Sequence, residues 1–150
     1  MYESVLVGTD GSEAAGAAVT HAGNLVRATN GILHVISVVE TNAKSFRFGV
    51  TEVDEINRRL GDIVEGVVDE YRESGIRVEF ELRRGKPAVE ILAYAKEIDV
   101  DVIVVGQVGA DHEQFAWVGS TALRLARNAD RPLIVVPPTD DDRILTSSSA

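Results

Sequence analysis

Cysteine is absent from the 150 residues of this sequence. Its absence excludes disulfide bonds, thiolate metal sites and cysteine nucleophiles, and it argues against redox chemistry by the chain itself. The fold must therefore be stabilised by the packing of side chains. A hydrophobic content of 45% is ordinary for a globular core, and the length is typical of one domain.

Long hydrophobic runs are also lacking. No stretch approaches the roughly 18 consecutive apolar residues of a membrane-spanning helix. The N-terminus does not show the basic and then apolar pattern of a signal peptide. The sequence therefore predicts a cytoplasmic protein that does not insert into a membrane.

Positive charge is scarce. The 15 basic residues are outnumbered by 24 acidic ones, which gives a net charge of −9. Nonspecific nucleic-acid binding relies on a basic patch that displaces counterions, and because none is visible we expect no nucleic-acid partner. The acidic and arginine-rich composition is compatible with a salt-loving source, and an ordinary acidic cytosolic protein would have the same character.

Familiar catalytic signatures are missing as well. The sequence contains no G-x4-G-K-[ST], no G-x-G-x-x-G, no H-E-x-x-H and no G-x-S-x-G motif. Nucleotide hydrolysis would need a base and a metal scaffold, and Asp10 is the one plausible carboxylate. These absences favour binding over turnover and leave the identity of any metal open.

The sequence does contain a glycine-rich segment, Gly106 to Ser120, between the apolar run Val102 to Val105 and a helical pattern. Strand, loop and helix in this order place backbone N–H groups at the positive end of a helix, where phosphate is favoured. Gly106, Gly109 and Gly119 would allow a ligand to approach closely, although tight turns alone would also require glycine. The phosphate interpretation is favoured because the Gly-Ser pair falls where a helix should begin.

Hydrophobic periodicity predicts five strands that alternate with four helices. The predicted strands are Tyr2 to Gly8, Ile32 to Val39, Arg77 to Leu82, Val102 to Val105 and Leu133 to Val136. This alternation implies a doubly wound, five-stranded parallel α/β sheet with helices on both faces. Ligands bind beyond the carboxyl ends of such strands where the winding reverses, so Asp10 and Gly106 should face one crevice.

Two segments do not fit the alternation. Thr41 to Val50 has no clear period and is interpreted as a mobile insertion. Residues 139–150 are polar, follow Pro137-Pro138 and are expected to be a disordered tail. Residues 1–138 are therefore predicted to form a single domain.

The loop spacing G-x2-G-x9-G-S resembles the ATP-binding signature of the universal stress protein A family. Four further pieces follow in family order: Thr9-Asp10-Gly11-Ser12, Leu33-His34-Val35, Gly85-Lys86-Pro87 and Arg131 to Val136. The resemblance covers roughly nine tenths of the chain. It implies a Rossmann-like, adenine nucleotide alpha hydrolase-like fold. It also implies a cytoplasmic stress-response regulator or sensor that binds ATP or another adenine nucleotide, with or without Mg²⁺.

The resemblance further implies a set of nucleotide-binding residues. In the implied site, Asp10 lies near the ribose and adenine, Gly8 lies at the rim, and Val35 packs against the base. From the residues alone, Asp10 could instead form a turn or cap, Val35 could be ordinary core, and Ser120 could cap its helix. The full set is Gly8, Thr9, Asp10, Val35, Val105, Gly106, Gly109, Gly119, Ser120 and Thr121.

The segment from Ala110 to Val118 departs from the family. These positions commonly include arginine or lysine, whereas here they contain Asp111 and Glu113 and no basic residue. The nearest basic candidates are Arg124 and Arg127 on the following helix. A nucleotide-free interaction module and a slow ATPase therefore stay open as alternatives to ATP binding.

The last predicted strand, Leu133 to Val136, is too apolar for an open sheet edge. By family resemblance this strand pairs with its copy in a second subunit, which implies a homodimer. A further protein partner is left unidentified by the sequence.

Overall fold

The computed structural model describes residues 2–9, 13–40, 58, 62, 65–107 and 119–138. Strands and helices alternate along these residues, as the sequence predicts. In chain order they are β1 (Ser4–Gly8), α1 (Glu13–Thr29), β2 (Ile32–Glu40), α2 (described over residues 65–73), β3 (Arg77–Gly85), α3 (Pro87–Ile98), β4 (Val102–Gly106), α4 (Ser120–Asn128) and β5 (Leu133–Val136).

The five strands form one parallel sheet in the order β3-β2-β1-β4-β5. The chain winds outward from β1 to β3 and then returns to the other side of β1 to form β4 and β5. This reversal between β1 and β4 confirms the doubly wound α/β fold. Because ligands of such sheets bind where the winding reverses, it also locates the candidate site at the carboxyl ends of β1 and β4.

Helices cover both faces of the sheet, and alternate residues of the central strands supply two separate cores. Val5 and Val7 of β1 belong to the apolar cluster beneath α1 and α2. Leu6 belongs to the cluster beneath α3 and α4. Because both faces are buried, β1, β2 and β4 read as continuous apolar runs rather than as alternating ones.

The ends of α1 and α3 are closed by backbone and side-chain hydrogen bonds. After α1, Asn30 adopts a φ of 57° and Gly31 donates its N–H to the carbonyl of Val26. After α3, the Arg131 guanidinium donates to the carbonyls of Ala95 at 3.1 Å and Val100 at 3.0 Å. Arg131 thus caps α3 and fixes the chain that leads into β5.

Element boundaries agree with the sequence prediction at α4 and β5 and differ elsewhere by a few residues. β1 begins at Ser4, because Tyr2 has a φ of 42° that no strand residue adopts. β3 runs past its predicted end at Leu82, since its pairing with β2 continues to Glu40 and Gly85.

The predicted insertion, Thr41 to Val50, and the predicted tail, residues 139–150, lie outside the described residues. Both interpretations therefore stay predictions. Among the residues that the structure describes, no helix is long and apolar enough to cross a membrane.

Candidate functional site

The candidate site lies at the edge of the sheet where β1 and β4 end. Thr9 donates its N–H to the carbonyl of Ile36 at 3.0 Å, which continues the β1–β2 pairing one residue beyond Gly8. Thr9 therefore lies opposite Ser37 of β2. Extending the β1–β4 register by two residues beyond Val7 and Val104 places Gly106 on its other side. Ser37, Thr9 and Gly106 thus form a row across three neighbouring strands.

The pleat of the sheet determines which face this row occupies. Val35, Val7 and Val104 form the same row two residues earlier, and all three belong to the apolar cluster beneath α1 and α2. Residues two apart on a strand share a face. Ser37 and Thr9 therefore lie above those valines, so that two hydroxyls and a glycine replace an apolar row at the edge.

The segment after β4 returns to its starting point before α4 begins. Gly119 donates its N–H to the carbonyl of Gln107. This bond holds together the two ends of residues 108–118. The start of α4 is thereby fixed beside the end of β4.

The first turn of α4 is arranged as an anion site. The N–H groups of its first three residues, from Ser120 to Ala122, have no acceptor inside the helix. The turn contains no acidic residue, and Gly119 precedes it in an extended conformation. Free N–H groups at the positive end of a helix favour a phosphate or another anion.

Ser120 does not cap its helix. The residue before α4 is Gly119, which has no side chain with which to form a capping hydrogen bond. The suggestion that Ser120 is the helix cap is therefore wrong, because Ser120 is already the first helical residue. Its side chain is exposed, so its hydroxyl is accessible to a ligand at the same helix end.

Gly8 packs closely against α3. A Cβ at this position would lie 3.0 Å from Cδ1 of Ile91 and 3.6 Å from Cγ1 of Val105. A side chain here would therefore require the end of the Ile91 side chain to move by a few tenths of an ångström. Val105 itself is buried in the cluster beneath α3 and α4.

The structure brings most of the described predicted residues to this edge. Gly8, Thr9 and Gly106 end their strands side by side, and Gly119, Ser120 and Thr121 begin α4 next to them. Val35 lies one row deeper and is only 1% exposed. Asp10 and Gly109 lie outside the described residues, so their placement stays a prediction.

Ser37 was missed by the sequence analysis. It is completely buried, and its Oγ has no hydrogen-bond partner in the part of the chain that the structure describes. A single serine in the middle of the apolar run of β2 is the signal that could have identified it, because buried hydroxyls normally find a partner.

The basic residues of α4 lie beyond its first turn. Arg124 and Arg127 are exposed and lie one and two turns along the helix. The residues of the first turn itself therefore contribute positive potential through their backbone N–H groups.

In the part of the chain that the structure describes, the titratable groups with perturbed pKa values lie outside the row formed by Ser37, Thr9 and Gly106. His34 packs edge to face against Tyr94, with ring centroids 6.4 Å apart, and Arg83 lies 4.8 Å from the centroid of the same ring. Burial lowers the pKa of His34, and the charge of Glu79 opposes this shift. Across the described ranges, no group of three or more histidines and carboxylates could hold a metal ion.

Known proteins resemble this chain along nearly its whole length. The model of the universal stress protein family matches residues 1–137. Universal stress protein YxiE of Bacillus subtilis is 31% identical over 147 residues, covering 91% of this chain and 99% of its own. The solved structure of universal stress protein UspA from Lactobacillus plantarum has a TM-score of 0.71 and 27% identity, covering 90% of this chain and 97% of its own. A universal stress protein solved in complex with cAMP has a TM-score of 0.64 and 26% identity, covering 92% and 98%.

Proposed function

Because this chain belongs to the universal stress protein family, we propose that it binds ATP or another adenine nucleotide, with or without Mg²⁺. The proposed site is the crevice at the carboxyl ends of β1 and β4. The proposed role is that of a cytoplasmic stress-response regulator or sensor. The observation that carries this proposal is the first turn of α4, which contains no acidic residue and whose N–H groups have no acceptor inside the helix.

The geometry around that turn supports a nucleotide rather than a simple anion. Phosphate groups would lie at the start of α4, beside Gly106, and the rest of the ligand would extend along the polar row towards Thr9. The relative solved in complex with cAMP supports an adenine base in particular. Binding of this kind does not depend on the net charge of −9, because exposed charges are screened over about 10 Å at 0.1 M salt.

Valine at Gly119 tests the proposal. Gly119 has a φ of −60°, which valine tolerates, so Gly119→Val should leave the fold intact while its branched side chain obstructs the phosphate position. We expect calorimetric titration with ATP to show no binding, and we expect the same of Gly109→Val. A matched control is Ala126→Val, an exposed substitution further along α4 that should bind ATP like the wild type.

Unchanged ATP affinity in a folded Gly119→Val protein would contradict the proposal and favour the nucleotide-free interaction module. Circular dichroism of each variant establishes that the fold is retained.

We propose binding rather than hydrolysis at this site. The described residues of the crevice contribute hydroxyl and backbone N–H groups, and the one carboxylate that the sequence places there is Asp10. Asp10→Ala should weaken AMP and ATP binding equally, by about 1 to 3 kcal/mol, as expected for the loss of a hydrogen-bond acceptor. A loss confined to ATP, together with phosphate release by the wild type alone, would favour the slow ATPase.

We also propose that the protein is a homodimer joined through β5. β5 is the last strand of the sheet, and all four of its residues are apolar and only half-buried. A free apolar edge of this kind invites pairing with another strand. The partner that fits it most simply is β5 of a second copy.

A further inference from the structure

Ser37 is a buried hydroxyl that has no partner among the described residues. It is completely buried within β2, and its Oγ forms no hydrogen bond with any of them. Burial without a partner destabilises a protein, because the hydroxyl loses its hydrogen bonds to water. Such a group calls for an explanation, and a role in binding a ligand is one.

The position of Ser37 points to the ligand site. Ser37 lies next to Thr9 in the row of side chains that borders the carboxyl edge, and Gly106 continues the row on β4. Directly beneath this row are Val7 and Val35, so the surroundings of the hydroxyl are apolar. A flat and weakly polar ring suits such surroundings better than a phosphate or a sugar does.

Distance separates Ser37 from the phosphate end of the site. Neighbouring strands lie about 4.8 Å apart, so Ser37 on β2 is about 10 Å from Gly106 on β4. A nucleotide whose phosphates lie at the start of α4 would reach β2 only with its nucleoside part. A serine hydroxyl both donates and accepts, so it can bond a ring nitrogen or an amino group of a purine.

We propose that the Ser37 hydroxyl forms a hydrogen bond with the base of the bound adenine nucleotide. This inference rests on the proposed function and adds to it a base-contacting residue on β2. In the ligand-free protein the hydroxyl is a source of instability, and in the complex it contributes to the recognition of the base.

Ser37→Ala separates these two effects. We expect its affinity for AMP to fall about fivefold to tenfold, the loss of one net hydrogen bond. Its affinity for ribose 5-phosphate, which has no base, should be unchanged. The unfolding temperature of the ligand-free variant should equal or exceed that of the wild type, because a partnerless hydroxyl has been removed. Ser37→Cys, which keeps the shape of the side chain and only a weak donor, should show an intermediate affinity.

Ser74→Ala is the matched control. The Ser74 hydroxyl donates to the carbonyl of Tyr71 at 2.7 Å, at the end of α2 and away from the carboxyl edge. Its removal should leave the affinity for AMP unchanged and should not raise the unfolding temperature. The wild type and the three variants are compared by calorimetric titration and thermal unfolding.

Each other outcome overturns the inference. Wild-type affinity for AMP in Ser37→Ala would show that the hydroxyl does not touch the ligand, while the proposed function stands. An equal loss for ribose 5-phosphate would assign the contact to the sugar, and a clearly lower unfolding temperature would assign the hydroxyl to the fold. A wild-type protein that binds no adenine nucleotide would remove both the inference and the proposed function.

Discussion

His34 is a titratable residue in the interior of a parallel sheet. It lies in β2 opposite Glu79 of β3, and its ring packs against Tyr94 of α3. Its Nδ1 atom is buried and has no hydrogen-bond partner among the described residues. Burial lowers its pKa below the ordinary value of 6.5, although the nearby charge of Glu79 acts in the opposite direction. Burial therefore disfavours the protonated imidazole in the folded protein.

A pH titration of stability follows from this shift. In the unfolded chain His34 takes up a proton near pH 6.5, whereas in the folded protein it does so only at lower pH. The unfolded state binds more protons between these two values, so the free energy of unfolding should fall as the pH is lowered from about 6.5. Urea unfolding of the wild type and His34→Gln between pH 8 and pH 5, roughly the range in which histidine changes charge, measures the effect.

His34→Gln should show a shallower fall than the wild type, because glutamine does not titrate. Equal slopes for the wild type and His34→Gln would contradict the assignment.

At the scale of elements, α1 contains two glycines that differ in how closely the rest of the protein packs against them. Gly23 faces α2, and a Cβ there would lie 2.5 Å from Cε1 of Tyr71. Gly16 lies two turns earlier, and a Cβ there would meet nothing within 4 Å. Gly23 allows the Tyr71 ring to approach the helix axis. Gly16 only adds backbone freedom to the unfolded chain.

Alanine at the two positions should therefore have opposite effects. Gly16→Ala should raise the free energy of unfolding by about 0.5 to 1 kcal/mol, and Gly23→Ala should lower it by about 1 to 3 kcal/mol. Urea unfolding measures both changes. In a Tyr71→Ala background the ring is gone, so Gly23→Ala should become neutral or stabilising. A Gly23→Ala variant as stable as Gly16→Ala would show that the helices separate without cost.

The sequence predicted those elements whose hydrophobic pattern follows directly from the faces that they bury. β1, β2 and β4 are buried on both faces and were recognisable as apolar runs, and α4 and β5 have the predicted bounds. The end of β3 was not predictable, because Arg83 looks like a loop residue until its partners Glu81 and Glu97 are known. Ser37 was missed for a related reason: its importance lies in the absence of a partner, which only the folded structure reveals.

At the scale of the whole molecule, the free side of β5 determines how two copies can meet. The carbonyls of Pro132 and Val136 accept hydrogen bonds from Ile103 and Gln107 on the β4 side. Backbone groups alternate in direction along a strand, so the N–H of Val135 points to the free edge. The N–H of Val135 can therefore bond to a second subunit without breaking a hydrogen bond between β4 and β5.

Val135→Pro should weaken the proposed dimer and leave the monomer folded, since proline removes only the outward N–H. Sedimentation equilibrium should show a monomer or an aggregate. Ile134→Pro is the matched control, because its N–H points towards β4 and its loss should unfold the protein. A Val135→Pro dimer with an unchanged dissociation constant would show that the subunits meet elsewhere.

The hydrogen bond between Gly119 and Gln107 also bears on how this protein can evolve. This bond joins the two ends of residues 108–118. The relative position of β4 and α4 therefore does not depend on the segment between them alone. Closing a longer loop adds only a modest entropic cost, about 0.6 kcal/mol for each doubling in length. Insertions in that segment would therefore cost the fold little stability, but Gly109 of the proposed phosphate site lies within it, so nucleotide binding would limit which insertions can be retained.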